Sequence, residues 1–462
     1  MNYRGGCRFN FFRLLLSLSL IFLTTFPSFG ENEKAISPKD EVASSSSTST
    51  PTPTSTSKGD DSQKCPLLHS FNFWQKEREN SSLRGQEYSF ETSGVYFGSL
   101  NDSIGKAKNI YLQEYNLQLT TDLAKAKMAK TGTVCISFCG VVEKDFWKNR
   151  SEDSSNGDGY DGLTKTGGGG AFRLNELWYE RPFKKLYVLL GIRDMTNDFC
   201  TSDFTDALEN CGFYFGPEIA ANVPLSIFNV PTLGIRLKYD LSKCMTLLAG
   251  VFDGYPGDPN ENKRGFGLRI SPDEGFFNIF EIQTHDPLKM GTLKGDLKFG
   301  SWHHTGKFDD LMNTTENGDP ITRLHNWGNY FMFTQKISNK NNDPDLGLGF
   351  FFRGGGLVPQ DRSSIESYFG TGFSYTGLFK GRTKDVLGIG LSQMKTSTAL
   401  KDFNLANGNP AFTTEKVLEI AYEYQVNDYL ILKPDLQIIK NYGGDPTRDT
   451  SSIVGIRSTI IF

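Results

Sequence analysis

From about Tyr88 to the C-terminus, apolar and polar residues alternate one by one through short segments, and clusters of Gly, Asn, Asp and Pro separate them. A period of two is the signature of a strand with two different faces. In KKLYVLLGIRD, Leu186, Val188, Leu190 and Ile192 share one face and Gly191 and Arg193 the other. In LGIRLKY, Ile235, Leu237 and Tyr239 oppose Arg236 and Lys238. Between 346 and 353, Leu346, Leu348, Phe350 and Phe352 oppose Gly347, Gly349 and Arg353. In the last three segments, Leu418, Ile420, Tyr422, Tyr424 and Val426 oppose Glu419, Glu423 and Gln425. Leu430, Leu432, Pro434, Leu436 and Ile438 oppose Lys433, Asp435 and Gln437, and Val454, Ile456, Ile460 and Phe462 oppose Arg457.

Charges that alternate with large apolar residues require one face in lipid and the other in water. The stretch from Tyr88 onward, at roughly 23 residues per strand and connection, holds about sixteen strands. The expected fold is therefore all-β, a transmembrane antiparallel β-barrel of about sixteen strands, of porin size. Its last strand ends on an outward aromatic, Phe462, at the height of an interfacial girdle. That terminal residue is also the expected handle for the barrel-assembly machinery.

Composition supports this reading. Hydrophobic residues make up 37% of the chain and aromatics 13%, with 48 glycines, and the mean hydropathy of −0.39 is too low for a helical membrane protein. A net charge of −4 gives no reason to expect nucleic-acid binding.

The N-terminal region reads as an export signal. Arg4, Arg8 and Arg13 precede the apolar run LLLSLSLIFLTTF, and Ser28 and Gly30 supply small residues before Glu31. Residues 1–30 are expected to be a signal peptide cleaved near Gly30. Residues 31–64 form a disordered Ser/Thr/Pro-rich spacer (SSSSTSTPTPTSTS at 44–57), 65–110 a periplasmic lead-in, and 111–462 the barrel in the bacterial outer membrane, in contact with its lipid. The exported chain keeps Cys65, Cys135, Cys139, Cys200, Cys211 and Cys244, an even number that suits disulfides. The best local pair is Cys200 with Cys211, in the segment NDFCTSDFTDALENC.

Candidate chemistry is sparse. TGGGG at 166–170 lacks the Gly-Lys-Ser/Thr of a phosphate loop and reads as a turn. His303-His304 reads as a strand dipeptide, and Asp309-Asp310 as solvated turn charges. No catalytic constellation, cofactor site or metal site is expected. What remains is a lumen of mixed sign, with Arg193, Arg236, Lys238, Arg269, Arg353, Lys433 and Arg457 against Glu176, Glu281, Glu419 and Asp435. Facing charges order water and favour small polar solutes over apolar ones. Trp178, on the face of Glu176, offers a stacking surface to a sugar ring or a guanidinium group.

The segments LNELWYE (174–180), AGVFDGYPGDP (249–259), FGSWHHTGKF (299–308), GFFFRGGGLVPQDRSSIESYFGTGFSYTGLFKGR (349–382) and EKVLEIAYEYQVNDYLILKPDLQIIKNYGG together resemble the OprB family of carbohydrate-selective porins. The resemblance implies a sixteen-stranded pore with a mixed-charge constriction, in which Glu176 and Arg193 match lumen positions and lead the selectivity candidates. The six cysteines and the spacer, in place of an envelope-anchoring domain, are most similar to a family member that passes arginine and works with an arginine decarboxylase and an arginine/agmatine antiporter. On that resemblance the first expected solute is L-arginine, with Asp253 and Asp258 supplying the cation site. A sugar-selective porin is the alternative, and a barrel-anchored adhesin the alternative of another class. Monomer and homotrimer are both compatible with the sequence.

Overall fold

A computed structural model of the chain describes residues 76–101, 109–144, 172–257, 262–271 and 273–462. The strands are β1 (Gln86–Ser99), β2 (Asn109–Asp122), β3 (Thr133–Lys144), β4 (Arg173–Phe183), β5 (Leu186–Arg193), β6 (Thr232–Ser242), β7 (Met245–Asp253) and β8 (Phe276–His285). They continue as β9 (Gly295–Thr314), β10 (Pro320–Lys340), β11 (Asp343–Gly356), β12 (Ile365–Thr376), β13 (Val386–Thr396), β14 (Thr414–Gln425), β15 (Leu430–Lys440) and β16 (Ser451–Ile461). Each pairs antiparallel with its sequence neighbours, and β1 pairs with β16 to close the barrel. Closure leaves every strand backbone paired within the sheet, as a bilayer demands. Among the described residues no helix is long and apolar enough to cross a membrane.

The barrel begins at Gln86, beside Tyr88 where the alternation starts and ahead of the boundary expected at 111. Residues 86–99, expected within the lead-in, are β1 itself, because Glu91 through Ser99 pair with Ile461 through Ile453 and close the ring. The signal peptide with its cleavage site, and the Ser/Thr/Pro spacer, lie outside the described residues.

Both chain ends of the barrel, Gln86 and Phe462, sit at the rim that carries the shortest turns, for example between β4 and β5 and between β10 and β11. Short turns mark the periplasmic side and long loops the outer side. Lipid-facing positions agree with the alternation: Leu190, Ile235, Leu237, Leu418, Ile420, Val454 and Ile456 are exposed around the belt. Two residues depart from it. Leu346 is buried beside a register shift between β10 and β11, and Ile192 is buried although it shares the parity of Leu190.

The interior is where the structure departs most from a simple wet lumen. The connection from β5 to β6, residues 194–231, turns into the barrel and carries its own apolar side chains with it. Met195, Phe199, Phe215 and Ile219 pack against Leu248 and Phe252 of β7, Phe277 of β8, Trp302 of β9 and Tyr330 of β10. On the far side Leu208 and Phe213 pack with Phe351 of β11, Val417 of β14 and Ile439 of β15. Wall glycines make room for this. A Cβ on Gly390 would come within 2.7 Å of Phe213 and Leu208, and one on Gly349 within 2.8 Å of Phe204. Strands β7 and β8 thus carry large apolar side chains on both faces, lipid outside and the inward segment inside.

Candidate functional site: the barrel constriction

The inward segment starts and finishes at one point on the wall. Ser226 Oγ donates to the Arg193 carbonyl at 2.8 Å and accepts from the Thr232 amide at 2.6 Å. Between these ends the chain makes single turns over Met195–Asn197, Asp203–Thr205, Cys211–Phe213 and Pro217–Ala220. Asp194 caps the first by accepting from the Thr196 amide, and Asn210 caps the third by accepting from the Gly212 amide. Pro217, with no N–H to satisfy, opens the last.

Wall and segment are joined by hydrogen bonds at several places. Glu281 of β8 accepts from the Cys200 amide at 2.9 Å and the Tyr330 hydroxyl at 2.6 Å. Lys298 of β9 donates to the Thr201 carbonyl and hydroxyl, both at 2.7 Å. Glu419 of β14 accepts from the amides of Glu209 and Asn210. Arg457 of β16 donates to Glu209 at 2.6 and 3.0 Å. Arg353 of β11 donates to Glu218 at 3.1 Å and to the Tyr214 carbonyl at 3.2 Å. Asn222 of the segment exchanges two hydrogen bonds with the Ile365 backbone of β12.

A separate chain of alternating charge runs along β4, β5 and β6. Glu176 accepts from Arg193 at 3.0 Å, Arg193 also reaches Asp198 at 2.9 Å, Asp198 lies 3.2 Å from Arg236, and Arg236 reaches Glu180 at 2.6 Å. Trp178 projects from the same face of β4 between the two glutamates. Its indole N–H donates to Glu176 at 3.1 Å, and the Arg193 guanidinium lies 5.2 Å from its ring centre. Glu176 also accepts from the Asp194 amide and from Asn197. Full burial of Asp194 in the segment raises its carboxyl to about 7, only partly opposed by the Thr196 hydrogen bonds.

The structure therefore divides the residues singled out by alternation. Glu176, Trp178, Arg193 and Arg236 come together in one cluster. Lys238 lies on the same inner face nearer the periplasmic rim, its ammonium 5.4 Å from the Tyr187 ring centre. Glu281, Arg353 and Glu419 do not line open lumen: they are buried anchors of the inward segment. Asp435 is buried beside Gln437, which donates to it at 2.9 Å, and Arg457 is taken up by Glu209. Arg269 is on no strand; it is exposed in the long connection between β7 and β8. The Cys200 thiol is free and buried, so the expected bridge to Cys211 is not formed. Asp310 is a strand residue of β9 and pairs with Arg323 at 2.6 Å, contrary to its expected place in a solvated turn. Asp253 is buried at the end of β7, while Asp258 and the TGGGG stretch lie outside the described residues.

Asp198, Glu209 and Glu218 were not found by strand alternation, because they sit off the strands. Their signal was the length and composition of the β5–β6 connection, too long for a turn and rich in apolar residues interleaved with acids.

A closed sixteen-strand antiparallel barrel, narrowed by a segment folded into its lumen, is the architecture of outer-membrane porins, which are channels and not enzymes. The sequence profile of the carbohydrate-selective porin, OprB family matches residues 106–462, and the chain belongs to that family. It is 25% identical over 424 residues to Porin B of Pseudomonas aeruginosa, covering 84% of this chain and 90% of that one. It is 24% identical over 325 residues to the putative porin QuiX of Acinetobacter baylyi, covering 64% and 70%. In fold it matches the high-pH structure of Pseudomonas putida OprB with a TM-score of 0.76 at 21% identity, over 84% of this chain and 97% of that one.

Proposed function

We propose that this porin passes small carbohydrates by diffusion, and that the cluster around Trp178 is where a sugar is sensed. The carrying observation is the indole ring set between two carboxylates and two guanidinium groups on one wall. A pyranose presents an apolar C–H face that stacks on an aromatic ring and a rim of hydroxyls that both donate and accept. Carboxylates take the donors and guanidinium forks fill the acceptors. Because the charges are already paired with each other, a neutral solute exchanges hydrogen bonds without having to neutralise an isolated ion. Membership of a carbohydrate-selective family supports a sugar over arginine as the solute.

No covalent step is involved, so selectivity is a difference in permeation rate. Liposomes containing the porin should swell faster in glucose than in arginine, and Trp178→Ala should slow the glucose rate while leaving salt conductance in place. Faster swelling in arginine, with radiolabelled arginine uptake rising on expression in a porin-deficient host, would return the arginine reading. A steady absence of single-channel current would favour a barrel-anchored adhesin.

A further inference from the structure

Arg457 and Lys433 face each other directly across β16 and β15 on the inner wall. Like charges in register repel, and both turn to one partner on the inward segment. Glu209 accepts from Arg457 Nε and Nη2 and lies 3.7 Å from Lys433 Nζ, which also donates to the Asp206 carbonyl. Arg353 is covered in the same way by Glu218, and Arg193 and Arg236 by Asp198. Three carboxylates of the segment, Asp198, Glu209 and Glu218, thus land on wall cations.

This changes which charge a passing ion meets. The side chains of Arg457, Lys433, Arg236 and Arg353 retain 11%, 8%, 7% and 6% of their exposure. Carboxylates of the same wall keep more exposure even where they are paired: Glu423, 3.8 Å from Lys433, retains 25%, and Glu180, 2.6 Å from Arg236, retains 24%. Glu91 on β1 is half-buried on the inner face, with Ser93 as its hydrogen-bond partner and no cation within ion-pair distance among the described residues. Lys238, the half-exposed lysine of this wall, sits nearer the periplasmic rim and away from the constriction.

The geometry points to a lumen that prefers small cations over anions, with Glu209 as the residue that sets the sign by covering Arg457 and Lys433, and Glu91 as an open carboxylate that the ion meets. The sequence alone pointed the other way, since its inner-face residues are mostly basic. The inference rests on the chain being an open channel and is independent of which sugar it passes. Field lines in a low-dielectric pore wall are focused on the solute path, so a few carboxylates more exposed than the cations beside them suffice to bias permeation.

The test is the zero-current potential of the full-length porin in planar bilayers under a potassium chloride gradient. The wild type should favour potassium over chloride. Glu209→Gln keeps the side-chain shape and removes the carboxylate shared by the two cations, leaving Arg457 with Glu114 at 3.7 Å and Lys433 with Glu423 at 3.8 Å, and should lower the potassium-to-chloride permeability ratio roughly twofold or more. Glu91→Gln, which touches no anchor of the segment, should lower it as well and guards against a folding defect in the first variant. The preference should shrink between 0.1 M and 1 M salt as the screening length falls from about 10 Å to about 3 Å. A conducting wild type with equal or chloride-favouring permeability, or an unchanged ratio in both variants, would overturn the inference while leaving the channel reading intact. A wild type that never conducts would remove both.

Discussion

Arg353 on the wall of β11 donates through Nη2 to both carboxylate oxygens of Glu218, at 3.1 and 3.3 Å, and joins the barrel to the segment that fills it. Both side chains are almost wholly buried, at 6% and 1% exposure. Removing one partner of a buried pair leaves the other charge without compensation, at a cost of about 3–5 kcal/mol. Glu218→Ala should therefore lift part of the inward segment off the wall and raise single-channel conductance with added current noise. The closed barrel, held by its own ladder, should keep its heat-modifiable mobility on a gel. The double change Arg353→Met with Glu218→Leu should restore quiet, low conductance. Unaltered conductance in the single variant would show that the segment is held elsewhere.

Asp194 gives the segment a pH dependence. Its carboxyl is raised by burial from 3.8 to about 7, so between these values the folded segment binds a proton that the detached segment does not. The stabilisation is present at low pH and is lost as pH rises through the folded value, so docking should weaken from about pH 4 to about pH 7. Limited proteolysis of the segment should accelerate over that window in the wild type. Asp194→Asn keeps an oxygen acceptor for the Thr196 amide at its position and should flatten the profile. Equal slopes in the two proteins would count against this role.

The cysteines divide by exposure. Cys244 is exposed in the turn between β6 and β7, while Cys135, Cys139 and Cys200 are buried. Burial also pushes the Cys200 thiol up to about 12, which leaves almost no thiolate at neutral pH. Maleimide applied to the folded protein should modify Cys244 and spare Cys200, as read by peptide mass mapping, and denaturation should open Cys200 to modification. Recovery of a Cys200–Cys211 linked peptide from unreduced protein would contradict the structure.

Much of the barrel was legible in sequence because alternation reports a face directly. Leu418 and Ile420 are exposed around the belt and Glu419 is buried on the other side, as the period of two requires. Alternation does not report what covers a face. Glu281, Arg353 and Glu419 were placed correctly on the inner wall, yet each holds the inward segment rather than open water, and that depends on a connection with no periodicity of its own. The hint lay in β7 and β8. Leu248, Phe252 and Phe277 point inward while Val251, Phe276 and Phe280 are exposed on the lipid side. Strands apolar on both faces are out of place in a wet lumen and signal a covered one. The cluster of Glu176, Trp178, Arg193 and Arg236 was half legible: the wall residues were on the right face, but Asp198, which links the two arginines, comes from the segment.

The same register that aims Arg457 inward places Phe462 at the seam of the barrel. The Phe462 amide donates to the Phe90 carbonyl at 2.8 Å, and the two rings lie 5.6 Å apart on the outer face. This is the last contact between β16 and β1, so it fixes the alignment of all the residues behind it, including Thr459 against Ser93 and Arg457 against Val95. Phe462→Ser keeps the backbone bond and removes the ring from the lipid–water boundary, where an aromatic belongs. It should lower the yield of heat-modifiable barrel in outer-membrane fractions several-fold, with little change in the conductance of the channels that do assemble. Phe462→Trp should restore the yield, since a second large aromatic can meet Phe90 at the interface. Equal yields from the serine and tryptophan variants would remove the seam from the account of assembly, and altered conductance in assembled serine channels would mean that the register itself had slipped.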